Sequence, residues 1–276
     1  MIIDAFTYNG EDDLLRIRLE LLYDHIDRFV IVEADKTFTG KHKTKKFDAD
    51  LFSQYKAKIS YYFIDTLSQK PQSAWQNERI QRNSIFDAIS ENNDNTLFIL
   101  SDIDEIPNPS AIKSYNPAEY LSASLVQNLY YFKLNYQVVN LDGTPFLWGK
   151  PKISTVGNFR RFYKEMESLR IEKFPGWFRS VKRLIHKKNH QLIQDGGWHF
   201  SYLMPPNKII EKINSFSHTE LNVPSLNDEE FIKKAIENRL NIFTPNTKIV
   251  RTDLRHSFPE NIVKLESFAK WYCDGV

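Results

Sequence analysis

Residues 97–107 read Leu-Phe-Ile-Leu-Ser-Asp-Ile-Asp-Glu-Ile-Pro. Three acids, Asp102, Asp104 and Glu105, fall within four positions, directly after four apolar residues and a serine. An Asp-x-Asp pair presents two hard oxygen ligands side by side. Such a pair suits Mg²⁺ or Mn²⁺ gripping a diphosphate. A Ca²⁺ loop would need further oxygen ligands at fixed spacing and a glycine, and this stretch lacks them.

The acids need an element to deliver them. The run Leu97–Leu100 predicts a short buried strand. In an open α/β sheet, ligands gather beyond the carboxyl ends of the strands. The rest of the chain predicts such a sheet. Met1–Phe6 is a first strand, Asn9-Gly10 breaks it, and Glu11, Asp12 and Asp13 open a helix. Leu15, Leu19, Leu22 and Ile26 give that helix one apolar face. Phe29–Val32 is a second strand ending at Glu33, and Ile59–Ile64 a third. Trp75–Ser90 is an amphipathic helix with Arg82 on the same face as Ile85 and Phe86. A guanidinium on a buried face needs an anionic or carbonyl partner. Between them, the loop Thr37–Lys46 carries Lys41, His42, Lys43, Lys45 and Lys46 around Gly40.

Beyond the acids, Leu125–Val139 predicts a long strand or hairpin, and Trp148–Arg183 shows no clear period. Gln191–Gln194 predicts a strand leading into Asp195-Gly196-Gly197-Trp198-His199. Paired glycines let a backbone approach something closely. Helices are expected from Pro206 towards His218 and Glu220, over Asp228–Leu240 and over Ile262–Trp271.

Composition narrows the function classes. The 276 residues suit one large domain, and 41% hydrophobic with 26% charged residues is ordinary for a globular chain. A net charge of +2 implies no polyanion field, so nucleic acid is not an expected partner. Cys273 is the single cysteine, which leaves no disulfide framework and suits a reducing compartment. No apolar run approaches the roughly 20 residues of a membrane span. No signal peptide is read at the N-terminus. A cytoplasmic protein with at most peripheral membrane contact is the expectation.

An ordered set of stretches resembles glycosyltransferase family 17. They are Asp4-Ala5-Phe6, Asp13-Leu14-Leu15 with Arg18, Phe29–Glu33, Gly40–Phe47, Arg82, Asp102–Pro107 and Gly197–Ser201. The acidic motif departs from haloacid-dehalogenase-type phosphatases. Their Asp-x-Asp follows the first strand and carries Thr or Val where Ile106 stands here. The resemblance implies a GT-A-type α/β fold, a Rossmann-like mixed sheet flanked by helices. It also implies a UDP-sugar donor, a divalent metal, inversion at the anomeric carbon, and an N-acetylglucosaminyltransferase-like activity. The catalytic domain would span 1–220, with a nucleotide-sugar half to about 107 and an acceptor half after it. Residues 221–276 would be a helical extension packed on it. Animal members carry a membrane anchor and lumenal cysteines that this chain lacks. The region between Asn135 and Gln191 does not match clearly. A glycan or lipid-linked glycan acceptor in surface-polysaccharide synthesis fits best.

Roles follow from that resemblance. Asp104 is the expected primary metal ligand, Asp102 a ligand through water or a ribose contact, and His199 the third ligand, with His218 its competitor. Asp4, Ala5, Phe6 and Glu33 would lie by the base, Lys43 by the phosphates, and Trp198 would be among the donor-binding residues. Arg82 would reach the donor or brace Asp102, and Glu105 would touch the sugar or cap the turn. The base would be Glu220 or Asp195. A nucleotidyltransferase and an inactive glycan-binding member are the alternatives.

Overall fold

Side-chain alternation in the first strands decides which helix covers which face. In chain order the strands are β1 (Ile2–Thr7), β2 (Arg28–Ala34), β3 (Ile59–Ile64), β4 (Leu97–Asp102), β5 (Glu105–Pro107), β6 (Tyr120–Leu125) and β7 (Gln127–Tyr131). There follow β8 (Tyr136–Asn140), β9 (Leu147–Trp148), β10 (Lys152–Thr155), β11 (Lys188–Ile193), β12 (Gly197–Ser201) and β13 (Thr247–Arg251). The first helices are α1 (Asp12–Leu22), α2 (Ala74–Ile89), α3 (Pro109–Lys113), α4 (Val156–Phe162) and α5 (Met166–Arg170). After them come α6 (Pro206–Ser215), α7 (Glu229–Glu237), α8 (Glu260–Val263) and α9 (Glu266–Trp271). The structure is a computed structural model that describes residues 1–174, 188–215 and 224–274.

Ile3 and Ala5 of β1, Val30 and Val32 of β2, and Phe98 and Leu100 of β4 share one face with Ile85 and Ile89 of α2. Phe6 of β1, Phe29 and Ile31 of β2, and Ile99 of β4 turn to the opposite face, under Leu15, Leu19 and Leu22 of α1. This is the period-2 pattern of a strand buried on both sides. The α1 face expected from spacing is the one buried. The C-terminal α8 and α9 extend this layer through Ile262, Phe268 and Trp271.

The chain is α/β, as its alternation of strands and helices predicts, with two mixed sheets flanked by helices. The first sheet runs β11-β6-β10-β4-β1-β2-β3 and the second β13-β8-β7-β12-β5, with β9 on β7. The chain passes between the sheets at the turn from β4 to β5, at Val126 between β6 and β7, and at Gln194–Gly196 between β11 and β12. The expected long strand over Leu125–Val139 is therefore divided. Leu125 ends a strand of one sheet, and Gln127 begins a strand of the other. The C-terminal part is not wholly helical, since β13 joins the second sheet through β8. The expected helix over Ile262–Trp271 is two short ones. Among the described residues no helix is long and apolar enough to cross a membrane.

The glycine pair has a packing reason. A Cβ on Gly197 would lie 2.1 Å from the Ile106 carbonyl oxygen, and one on Gly196 2.3 Å from the Leu125 carbonyl carbon. The close approach is to neighbouring backbone, where β12 pairs with β5.

Beneath α1, Arg18 is fully buried. Its Nε and Nη2 donate to the two Asp4 oxygens at 2.8 and 2.6 Å. Its Nη1 donates to the carbonyls of Asp102 at 2.9 Å, Ile103 at 3.2 Å and Glu105 at 3.2 Å. Replacing Arg18 with Met leaves Asp4 buried without its counter-charge. The expected cost is about 3–5 kcal/mol, the range for breaking a buried ion pair. Urea denaturation of Arg18→Met against wild type measures it, and a loss under about 1 kcal/mol would contradict the account.

Candidate active site

A cleft of about 690 Å³ opens where the strand ends of the first sheet meet the second. One wall carries Thr7 at the end of β1, Asn9 beyond it, and Lys36, Phe38 and Lys43 after β2. The opposite wall is aromatic, built of Tyr131, Phe146, Trp148, Tyr202 and Phe243. Tyr202 and Phe243 stack at 4.0 Å, and Tyr131 meets Phe243 edge-on at 5.6 Å. The acidic turn forms the floor.

Alternation continues into that floor. Ser101 faces α1, where its hydroxyl meets Arg18 Nη2 at 2.6 Å. Asp102 faces the other way, towards α2 and α5. Arg170 Nη2 donates to Asp102 Oδ2 at 2.8 Å, and Arg82 Nη2 lies 3.4 Å from Oδ1. Arg82 also pairs with Glu78 at 2.5 Å and Glu167 at 2.7 Å. Burial would raise the Asp102 pKa, but Arg170 and Arg82 outweigh it and hold the carboxyl well below the usual range.

Glu105 is wholly buried. It accepts from the Asp102 N–H at 2.8 Å, from Trp148 Nε1 at 2.6 Å, and from Arg170 Nη1 and Nη2 at 2.9 and 2.7 Å. Its carboxylate thus closes the turn and orients the indole.

Asp104 is presented differently. Its carboxylate touches no arginine among the described residues. Oδ1 lies 3.7 Å from His199 Nε2, and Oδ2 lies 3.1 Å from Lys212 Nζ. β12 pairs antiparallel with β5, opposing His199 to Glu105, and this register carries the imidazole to the acidic turn. His199 Nδ1 is buried without a hydrogen-bond partner, and Trp148 packs on the ring at 4.8 Å. Among the described residues no three His, Cys, Asp or Glu side chains gather as a ready metal cage. A carboxylate and an imidazole with open positions for phosphate oxygens and water still fit Mg²⁺ or Mn²⁺, which commonly take only one or two carboxylates from the protein.

The cleft thus brings together Asp102, Asp104, Glu105, His199, Arg82 and Lys43. Lys43 Nζ donates to Asn9 Oδ1 at 2.6 Å, and burial lowers its pKa against the pull of Glu33. Other expected residues stand behind it. Asp4, Ala5 and Phe6 are fully buried, with Asp4 given to Arg18. Glu33 is also buried and accepts from the Lys46 and Phe47 N–H groups and the Tyr61 hydroxyl, which fixes the basic loop. Trp198 stacks on Phe258 at 4.4 Å in the core. Asp195 is exposed in left-handed backbone, off the cleft lining, and its carbonyl accepts from Asn108 Nδ2 at 3.1 Å. His218 and Glu220 lie outside the described residues.

Three cleft residues were not legible as such. Arg170 sits in the stretch without clear period. Lys212 reads as a polar position of an amphipathic helix. Glu11 reads as a helix-start acid, yet it lines the cleft, and burial raises its carboxyl pKa. Behind Arg170, Lys152 Nζ holds Glu172 at 2.7 Å. His190 bridges Ser122 at 2.9 Å and Ser124 at 2.8 Å.

Comparison with known proteins gives a family. The family model described as Glycosyltransferase family 17 matches residues 1–140. No curated protein matches the sequence. Among solved structures, a 4-diphosphocytidyl-2C-methyl-D-erythritol synthase is 12% identical, covering 75% of this chain and 94% of its own, at a TM-score of 0.40. The galactosyltransferase LgtC in complex with donor and acceptor sugar analogs is 10% identical, covering 67% of this chain and 66% of its own, at 0.32. An active-site mutant of LgtC is also 10% identical, covering 67% of this chain and 65% of its own, at 0.33.

Two outcomes are expected. Arg170→Met strands the buried Glu105 carboxylate and should cost about 3–5 kcal/mol in urea denaturation. A second test is pH. An unfolded imidazole titrates near 6.5, while burial lowers His190 to about 4. Between those values the unfolded chain binds the extra proton, so folding stability falls as pH drops through that window. Denaturation midpoints at about pH 7 and about pH 4.5 should differ more in wild type than in His190→Gln.

Proposed function

Because the chain belongs to glycosyltransferase family 17 and is a glycosyltransferase, we propose that the cleft transfers a sugar from a UDP-sugar to a glycan hydroxyl, with metal-dependent inversion. The observation that carries this is the convergence of Asp104 and His199 at the meeting of the two sheets, with their 3.7 Å approach directed into a cleft walled by cations and rings. Asp104 and His199 would hold Mn²⁺ or Mg²⁺, which when bound supplies charge neutralisation for the departing diphosphate.

The protein's own groups divide the remaining work. Asp102 serves by being fixed. Its two arginines lock the turn, so Asp104 is presented without reorganisation. Lys43 lines the cleft beside Asn9 and is the cation this reading gives to the diphosphate. Thr7, Asn9 and Phe38 bound the end of the cleft that suits the nucleotide. Tyr131, Trp148, Tyr202 and Phe243 form a wall suited to the apolar faces of sugar rings. An acceptor hydroxyl approaching along that wall must give up its proton to a carboxylate on the face opposite the diphosphate. Glu220, which follows α6 in sequence, is the acid this reading assigns. The sugar is N-acetylglucosamine or a related hexose, and the acceptor a glycan or lipid-linked glycan. The product belongs to surface-polysaccharide or glycoconjugate synthesis in the cytoplasm.

A screen of UDP-, GDP- and CMP-sugars, following nucleotide release with Mn²⁺, tests the reading. Turnover is expected with a UDP-sugar alone and should vanish on chelation. Asp104→Asn should lower it by on the order of 10²-fold or more while the fold persists. Full turnover in metal-stripped enzyme, or preference for a GDP- or CMP-sugar, would overturn it.

A further inference from the structure

Lys212 is a cation already seated on the carboxylate assigned to the metal. Its Nζ lies 3.1 Å from Asp104 Oδ2, with the two side chains only 18% and 9% exposed. α6 places it there. Ile209 and Ile213 of that helix are buried against the second sheet, and Lys212 stands beside Ile213 at the border of that buried face. The ring of Tyr202 lies 5.4 Å from the ammonium. The same carboxylate turns its other oxygen to His199 Nε2 at 3.7 Å. One buried carboxylate therefore serves two cationic claims, an ammonium on Oδ2 and a divalent ion on the Oδ1–His199 side.

We propose that Lys212 is the resting counter-cation of Asp104 and that the donor's diphosphate draws it off, so that metal and nucleotide bind as a coupled pair. This rests on the donor-site reading above. A divalent ion entering alone meets a fixed positive charge across one carboxylate, which weakens its binding. A diphosphate brings the negative charge that lets both cations remain, the metal on Asp104 and His199, the ammonium on a phosphate oxygen. Linkage makes the coupling reciprocal: nucleotide tightens metal by the factor by which metal tightens nucleotide. Lys212 is then a positioning residue for the empty cleft and a phosphate contact in the loaded one.

The test is Mn²⁺ affinity, read from the electron paramagnetic resonance signal of free Mn²⁺, with and without UDP, in wild type, Lys212→Met and Lys212→Arg. In wild type, UDP is expected to tighten Mn²⁺ by about tenfold or more, within the usual span of coupling between sites. Lys212→Met should bind Mn²⁺ alone about tenfold more tightly than wild type and show a smaller UDP effect, the part that remains coming from phosphate oxygens on the metal itself. Lys212→Arg, which keeps the charge, should retain the wild-type pattern. Thermal unfolding of each variant establishes that it is folded. Equal Mn²⁺ affinity in wild type and Lys212→Met, with an unchanged UDP effect, would overturn the proposal while leaving the donor site standing. Tighter Mn²⁺ in Lys212→Met with no UDP binding to any protein would instead support the ion-pair competition and overturn the donor-site reading.

Discussion

The acidic turn at the floor of the cleft depends on one fully buried guanidinium. Arg18 reaches from α1 through the first sheet's face to Asp4 on one side and three carbonyls of the 102–105 turn on the other. In the turn between strands of two different sheets, the Asp104 carbonyl accepts from the Phe200 N–H, and the carbonyls of Asp102, Ile103 and Glu105 turn to Arg18. Buried carbonyls without donors are costly, so a group with five N–H donors in a fixed fork is well suited to gather them. The charge is balanced by Asp4 on the neighbouring strand and faced by the ring of Phe6 at 4.3 Å. Such a pair adds little net stability over apolar replacement of both partners, whereas losing one partner alone leaves the other charge buried.

Around that anchor, neighbouring acids receive opposite fates. Asp102 and Glu105 are bound by arginines from α2 and α5, and this commits them to holding shape. Asp104, between them, points into the cleft, where a lysine and a histidine flank its oxygens. The turn at Ile103–Asp104, between the end of β4 and the start of β5, separates Asp104 from the other two and brings Asp102 and Glu105 back to one arginine. The cost is a concentration of buried charge that must stay paired. The Lys152–Glu172 pair and the hydroxyls around His190 extend this pairing behind Arg170, away from the cleft.

Much was legible in the sequence because it rests on local patterns. The period of α1, the apolar runs of β1, β2 and β4, and the acids closing β4 each reflect short-range rules, and the structure keeps them. The sharing of a face by Arg82 and Ile85 was also legible, because helical spacing alone decides it. The family's ordered motifs pointed to Asp104 and His199, whose side chains the structure brings within 3.7 Å.

What only the tertiary structure decided was partnership across the two sheets. No local rule says that Leu125 and Gln127 belong to different sheets, because both positions read as strand. Nor does one say that Gly196 and Gly197 serve backbone contact with β5 and β6 instead of phosphate. Asp4 and Glu33 end or nearly end apolar runs, as residues at a ligand edge do, but Arg18 and the loop amides claim them. Arg170 and Lys212 stand 65 or more positions from their acids, and the period of their own segments carries no trace of those contacts. By itself the sequence determined the class of fold and the acid pair, through spacing and side-chain type. Which acids are bound by arginines and which one faces the cleft was decided by long-range charge pairing, which exists only once the chain has closed.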